Sequence, residues 1–446
     1  MADEITVEEA YDELDTGPFQ WSLLLLTGFG FLCGTIEILS ISMVISSIEN
    51  EFRIEGAGIL LSFTFVGEVI GGMGWGYLAD KIGRLLVFKL VPFCSFFFGA
   101  TQLFVPNYQW LTVLRVFLGI ATAGNFVNDL IYFMEFLPTK KRGRNLSFLV
   151  YFGVFGIVAL SFLRWITQDM LKWRSFLFLC SVPSFFLFAA RLFWTFESPR
   201  FLLCQNNPEK ARQVLNRIAL SNKKPLLVQS ICLVSDKLDA TGKNNAFVAI
   251  GGVFGWQTMS LCTLWFFLVF GFYALVEWAP KYQSLNTGSS ISPLYSFLFM
   301  GLAELPGLGI AGLLLDSNRF GRSRTLMIGM LSSAFFIFLF SLVTNQAASH
   351  ILLGLGYSAT SMTWASAYVY TAELYPTSIR STVLAYISIS AKTGGILASP
   401  AFLYFSKLGL EAHWIINICS LMFLFGTLFA AFSRTKTANK QLKDCF

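Results

Sequence analysis

Long apolar runs alternate with short polar stretches along this chain, and they fall into two groups. The first occupies about residues 21–46, 57–79, 85–105, 110–132, 146–168 and 173–195; the second occupies about 254–277, 291–314, 325–345, 350–371, 382–405 and 413–433. At about 1.5 Å per residue, runs of about 20 residues match a hydrocarbon core about 30 Å thick. In lipid a spanning segment must satisfy its own backbone hydrogen bonds, so the pattern predicts an all-α membrane protein of twelve transmembrane helices. The implied division is an acidic tail over 1–16, a six-helix bundle over 17–196, a linker over 197–250, a second six-helix bundle over 251–433 and a tail over 434–446. Ala211, Val214, Leu215 and Ile218 sit at helical spacing in the linker, which predicts a short amphipathic surface helix there. The start of the chain lacks Lys and Arg and reads as a solvated segment rather than a cleaved signal.

Composition agrees. Apolar residues make up 55% of the chain and charged residues only 13%, about half the charged share of an ordinary soluble domain. A water-soluble globule is thereby excluded. The eight Cys are scattered through apolar runs, and His350 and His413 are too few and too far apart for a metal or haem site, so no metal or cofactor is expected. Neither a nucleophile-and-base set nor a phosphate-cradling loop is present, which argues against an enzyme, and no nucleic-acid module is visible. Charge sets the orientation. Arg53, Lys172, Arg174, Lys281 and Lys407 are the few cations on one side, while the other connections and the C-terminal tail hold most of the Lys and Arg; the positive-inside rule then puts both termini in the cytosol.

The two groups of runs repeat each other. Asp80, Gly83 and Arg84 follow the second run, and Asp316, Gly321 and Arg322 follow the eighth; Glu135, Pro138 and Arg142 follow the fourth, and Glu373, Pro376 and Arg380 follow the tenth. Paired bundles with shared motifs on one face are what a rocking-bundle transporter requires. Gly76, Asp80, Gly83 and Arg84 form the Gly-x-x-x-Asp-x-x-Gly-Arg loop and resemble the major facilitator superfamily, in which carboxylate and guanidinium groups of such loops latch the bundles at the cytosolic rim. Glu197, Ser198, Pro199 and Arg200 after the sixth run resemble its organic-ion and sugar transporter group. Phe19-Gln20-Trp21, Glu37, Glu135 to Pro138, Glu304 with Pro306 and Gly307, and Ala367 to Pro376 are similar to the synaptic vesicle 2-related branch, and also to bacterial niacin transporters. The chain departs from that pattern at Gly34, where the branch has an Asp, and at Lys392, where it has an Arg.

An ionisable side chain inside a spanning helix costs at least about 2.5–3.5 kcal/mol on insertion scales, so each one is a candidate site. Glu37 lies roughly 24 Å from the start of the first helix and is a candidate proton carrier, or the partner of Arg115. Glu68 and Glu304 stand twelve residues before their motif Asp residues, at equivalent depths near the midplane. Lys392 lies at similar depth and reads as a counter-charge for an anionic substrate or as the partner of Glu304. Asp129, Glu277, Arg164 and Arg191 lie nearer helix ends and read as rim or anchor residues. Trp265, Tyr273, Tyr357, Trp364 and Tyr368 are on helices that line the cavity in the resembled fold, where rings can stack on a flat ion. Gly67, Gly71, Gly72, Gly76, Gly394 and Gly395 provide small faces for close helix contact and sliding between halves. Near the start, Tyr11 and Leu14 make a Tyr-x-x-Leu pattern that resembles an endocytic sorting signal.

These features point to a monomeric secondary transporter in a plasma or vesicle membrane. Its first expected cargo is a small organic anion held by Lys392 and coupled to a proton through Glu37, Glu68 or Glu304. An organic-cation carrier that uses the carboxylates, or a vesicle interaction protein with little transport, are the alternatives.

Overall fold

A computed structural model describes residues 4–54, 56–138, 142–226, 230–232, 255–287, 292–315, 317, 319–375 and 377–432. In chain order its helices are α1 (Val7–Leu14), α2 (Pro18–Leu39), α3 (Ile45–Phe52), α4 (Ile59–Ile82), α5 (Arg84–Thr101), α6 (Tyr108–Glu135), α7 (Arg142–Thr167) and α8 (Trp173–Phe193). After these come α9 (Pro199–Cys204), α10 (Pro208–Ser221), α11 (Gly255–Thr287), α12 (Pro293–Leu315), α13 (Gly321–Leu342), α14 (Gln346–Leu374), α15 (Thr377–Lys407) and α16 (Ala412–Phe432). The twelve long ones, α2, α4 to α8 and α11 to α16, form the two bundles of a multi-pass membrane protein. Over their described residues, ten of the twelve are long and apolar enough to qualify as spans on their own. The other two are α14 and α15. Thr360, Ser361, Thr363, Ser366 and Thr371 of α14 are buried, and several of their hydroxyls bond to carbonyls of the preceding turn, so its polarity faces protein and not lipid.

The bundles repeat one packing scheme. Helix α4 packs on α6, α2 on α7, α5 on α8, α5 on α6 and α2 on α8; α12 on α14, α11 on α15, α13 on α16, α13 on α14 and α11 on α16 are the matching pairs. The repeat extends to caps. Asn107 accepts from the Trp110 amide at the start of α6, and Asn345 accepts from the Ala348 amide at the start of α14. Gly67 and Gly71 serve contacts within the first bundle, not sliding between halves: an added Cβ at either would collide with the α6 backbone at Val116 or Ile120.

Across the halves, α4 meets α15 and α7 meets α12. We call the face where α2 begins and α16 ends terminal, and the other distal. Near the distal face one apolar core joins both bundles, with Ile41, Val44, Leu60 and Phe65 packed with Leu275, Ala279 and Met300. Near the terminal face the first bundle keeps a separate core, built from Leu24, Phe88, Leu130 and Tyr132. The halves are thus joined distally by the larger core and toward the terminal side by a smaller one, in which Val154 of α7 packs with Leu308 and Ala311 of α12 and Val369 of α14, and a cavity lies beside that second contact.

The acidic start differs from the solvated tail that its charge suggests. β1 (Glu4–Thr6) pairs in parallel with β2 (Ser230–Cys232). Thr6 and Glu9 form a reciprocal capping box that starts α1. The apolar face of α1, Val7, Ala10, Tyr11 and Leu14, is buried with Leu202, Leu215 and Ile218 of the linker helices. Asn222 ties the module to α2: its side-chain oxygen accepts from the Phe19 amide, and its nitrogen donates to Gln20 at 2.8 Å. The periodicity of Ala211, Leu215 and Ile218 is thus used against the chain's own N-terminus.

Candidate functional site

Two adjoining lobes of about 70 and 100 Å³ lie between the bundles. Phe126, Trp364, Tyr368 and Lys392 line both. The lobe nearer the terminal face adds Leu130, Trp265, Thr371 and Leu384. The deeper lobe adds Phe31, Thr35, Tyr273, Ser361 and Glu304.

Aromatic rings make most of the wall. Trp364 and Tyr368, one helical turn apart on α14, stack at 5.8 Å between centroids, and Trp265 stands edge-on to both at 5.5 and 5.0 Å. Trp265 is held by its indole N–H, which donates to Thr371 at 3.0 Å. The buried indole nitrogen of Trp364 has no hydrogen-bond partner among the described residues. Tyr357 takes no part in the lining; it is buried in the core behind it.

Glu304 sits on α12 just before Pro306, and close contact with α14 fixes its place: a Cβ on Gly307 would strike the Ser358 carbonyl. The Ser361 hydroxyl donates to the Glu304 main-chain carbonyl at 2.7 Å, which leaves the carboxylate to the cavity. Its buried Oε1 has no hydrogen-bond donor among the described residues. Lys392 does not pair with it. The ammonium lies 2.6 Å from Glu68 Oε2 across the seam between α15 and α4, with Phe126 and Phe65 rings 5.3 and 5.5 Å away. Thr122 on α6 donates to the other Glu68 oxygen at 3.4 Å.

Glu37 is placed differently from the cavity-facing carrier that its depth suggests. It points into the first bundle, where Ser184 on α8 donates to its Oε1 at 2.6 Å. Arg115 bonds to the Glu37 main-chain carbonyl at 3.1 Å and lies near Ser40, so its guanidinium serves the break in α2 where a 3-10 turn, Ser40–Met43, begins. Asp129 and Arg191 are not rim residues. They form a fully buried ion pair at 2.6 Å. Arg191 also donates to the Phe88 and Leu26 carbonyls, and a Cβ at Gly30 would collide with Asp129. Their matching depth near the ends of α6 and α8 was the available signal for this pair. Glu277 lies at the distal seam, accepting from Ser399 at 2.6 Å.

Among the described residues, the loop motifs form two ion pairs within bundles; the resemblance implies a latch between them. Arg84 meets Glu135 at 3.4 Å in the first bundle, and Arg322 meets Glu373 at 2.9 Å in the second. Gly83 has a positive φ of 102° and Gly321 of 63°, the backbone turn from one helix into the next that favours glycine. The Glu197 carboxylate accepts from the Leu85 amide at the start of α5. Burial holds it above the usual carboxylate range, and backbone donors, with Ser198 first, oppose the shift. The side chains of Asp80, Arg142, Asp316 and Arg380 lie outside the described residues.

Two pseudo-symmetric six-helix bundles around a central cavity form an architecture found among membrane transporters. The family model described as "Sugar (and other) transporter" matches residues 29–445, and the chain belongs to that family. It is 27% identical to the synaptic vesicle 2-related protein of Bos taurus, covering 99% of this chain and 83% of that one. It is 29% identical to the organic cation/carnitine transporter 7 of Arabidopsis thaliana, covering 89% and 88%. Among solved structures, the proton:xylose symporter XylE bound to 6-bromo-6-deoxy-D-glucose superposes with a TM-score of 0.80 at 19% identity, over 96% of this chain and 98% of that chain. The inward-open form of XylE from E. coli gives 0.71 at 18% identity, over 95% and 98%.

Proposed function

We propose that the protein carries a small organic cation through the aromatic cavity, with the Glu304 carboxylate as its counter-charge. The observation that carries this reading is the pairing of charges around the cavity. Lys392 is already engaged by Glu68, whereas Glu304 lines the deeper lobe and has a buried carboxylate oxygen with no hydrogen-bond donor among the described residues. An unpaired carboxylate at that depth costs several kcal/mol unless it is protonated or neutralised by a ligand. Tryptophan and tyrosine faces add cation attraction of about 0.5–2 kcal/mol each. The relative described as an organic cation/carnitine transporter supports the same class. This replaces the organic anion as the preferred cargo, because an anionic group could reach Lys392 only by displacing Glu68.

A proton is the proposed coupling ion. Glu304 would bind either the proton or the cation, and Glu37, which accepts from Ser184, is the second protonation site inside the first bundle. The terminal face, rich in Lys and Arg, is cytosolic in this reading.

The test is uptake of radiolabelled tetraethylammonium and benzoate into proteoliposomes at pH 6 and 8. Tetraethylammonium uptake that rises with pH and is lost in Glu304→Gln, with wild-type melting, is the expected result. Uptake of benzoate alone, abolished by Lys392→Ala, would replace the cation by an anion.

A further inference from the structure

We infer that Glu68 and Lys392 form a lock between the bundles which favours the distally joined state, making both positioning residues for the transport cycle. Among the described residues theirs is the ion pair that crosses from one bundle to the other. Arg84–Glu135, Asp129–Arg191 and Arg322–Glu373 each stay within a bundle. Among the described residues, charge attraction between the halves therefore falls at the α4–α15 crossing.

The surroundings make that attraction strong. Glu68 is fully buried, and the Lys392 side chain is only 18% exposed. The ion pair is short and lies beside the Phe65 and Phe126 rings, where little water screens it. Gly395 lets the Phe65 ring lie against α15, with 2.8 Å between Phe65 Cδ2 and the place of a Cβ. The pair thus stands between the distal core and the cavity that Lys392 lines, where separation of α4 from α15 on distal opening would pull it apart. A conformational equilibrium shifts by the difference in pair energy between its two states. Loss of the pair should shift it toward distal opening.

The proposal is independent of the cargo and can be tested without substrate. Ser399, 2% exposed at the distal seam, is changed to Cys, and its rate of alkylation by a polar maleimide is measured in full-length protein in liposomes, with the parent's own cysteines as background. Glu68→Gln and Lys392→Gln are each expected to raise that rate about tenfold, a shift of about 1.4 kcal/mol. The exchange Glu68→Lys with Lys392→Glu should return it to the parental value, and Lys392→Arg should leave it nearly unchanged. Unchanged rates in both single variants, with parental melting temperatures, would overturn the lock. If the exchanged protein does not fold, the neutral double variant Glu68→Gln/Lys392→Gln decides: a fast rate supports the lock, and a parental rate overturns it.

Discussion

The two bundles share helix pairings, caps and loop motifs, yet they direct their buried charges in opposite ways. The first turns Asp129, Arg191, Glu37 and Arg115 inward among its own helices. The second turns Glu304, Lys392 and its aromatic ladder toward the shared space. A duplicated framework can thus give one copy a rigid electrostatic interior and the other the contact with cargo, because packing constrains the helix pairs while leaving free which face carries a polar group. Glu68 is the exception in the first bundle, and it is held by a cation of the second.

That contrast can be broken most forcefully at the first bundle's ion pair. Asp129→Asn leaves a buried guanidinium without its counter-charge and should cost about 3–5 kcal/mol; thermal melting followed by size exclusion would show it. Asp129→Leu combined with Arg191→Met should recover most of the loss. A wild-type melting temperature for the single variant would contradict the scaffold role. In the second bundle the effect belongs to binding. Trp364→Ala should weaken tetraethylammonium binding about tenfold while Trp364→Phe weakens it only a few-fold, read from displacement at equilibrium.

Smaller effects sharpen the shared part. Arg84→Gln and Arg322→Gln remove equivalent, mostly buried pairs and should each lower stability by about 1–1.5 kcal/mol; a large difference between them would show that the loops no longer act alike. The smallest effect lies on the distal surface. There the Trp173 indole, donating at 2.6 Å, and then Arg174 hold the Glu51 carboxyl below the usual range. Its folded-state value lies below the unfolded one, so its contribution is complete above about pH 4.5 and fades as pH falls through the folded value. Melting curves between pH 6 and 3 should show this fall, and Glu51→Gln should flatten it.

Helix positions were legible because a bilayer demands long apolar runs, and the structure mostly extends those runs into polar caps, as from 350–371 to Gln346–Leu374. Helix faces were not. When lipid and bundle interior are both apolar, periodicity no longer separates them, so depth alone could not tell that Glu37 faces Ser184 and Glu304 faces the cavity. For the same reason Phe31 and Phe126 could not be chosen from 48 Phe, although both line the deeper lobe. Lys392 was recognisable by its cost in the membrane; that its partner would be Glu68 depended on which helices meet across the halves.

The folded N-terminal module has a consequence for cell biology. Adaptor proteins that read a tyrosine-based address need the tyrosine and the following large apolar side chain presented to them. Here Tyr11 and Leu14 are each 1% exposed, on a helix packed against the linker. Exposing that pair of side chains would require local unfolding of β1 and α1, so in the folded protein the pattern is not displayed, whatever it resembles.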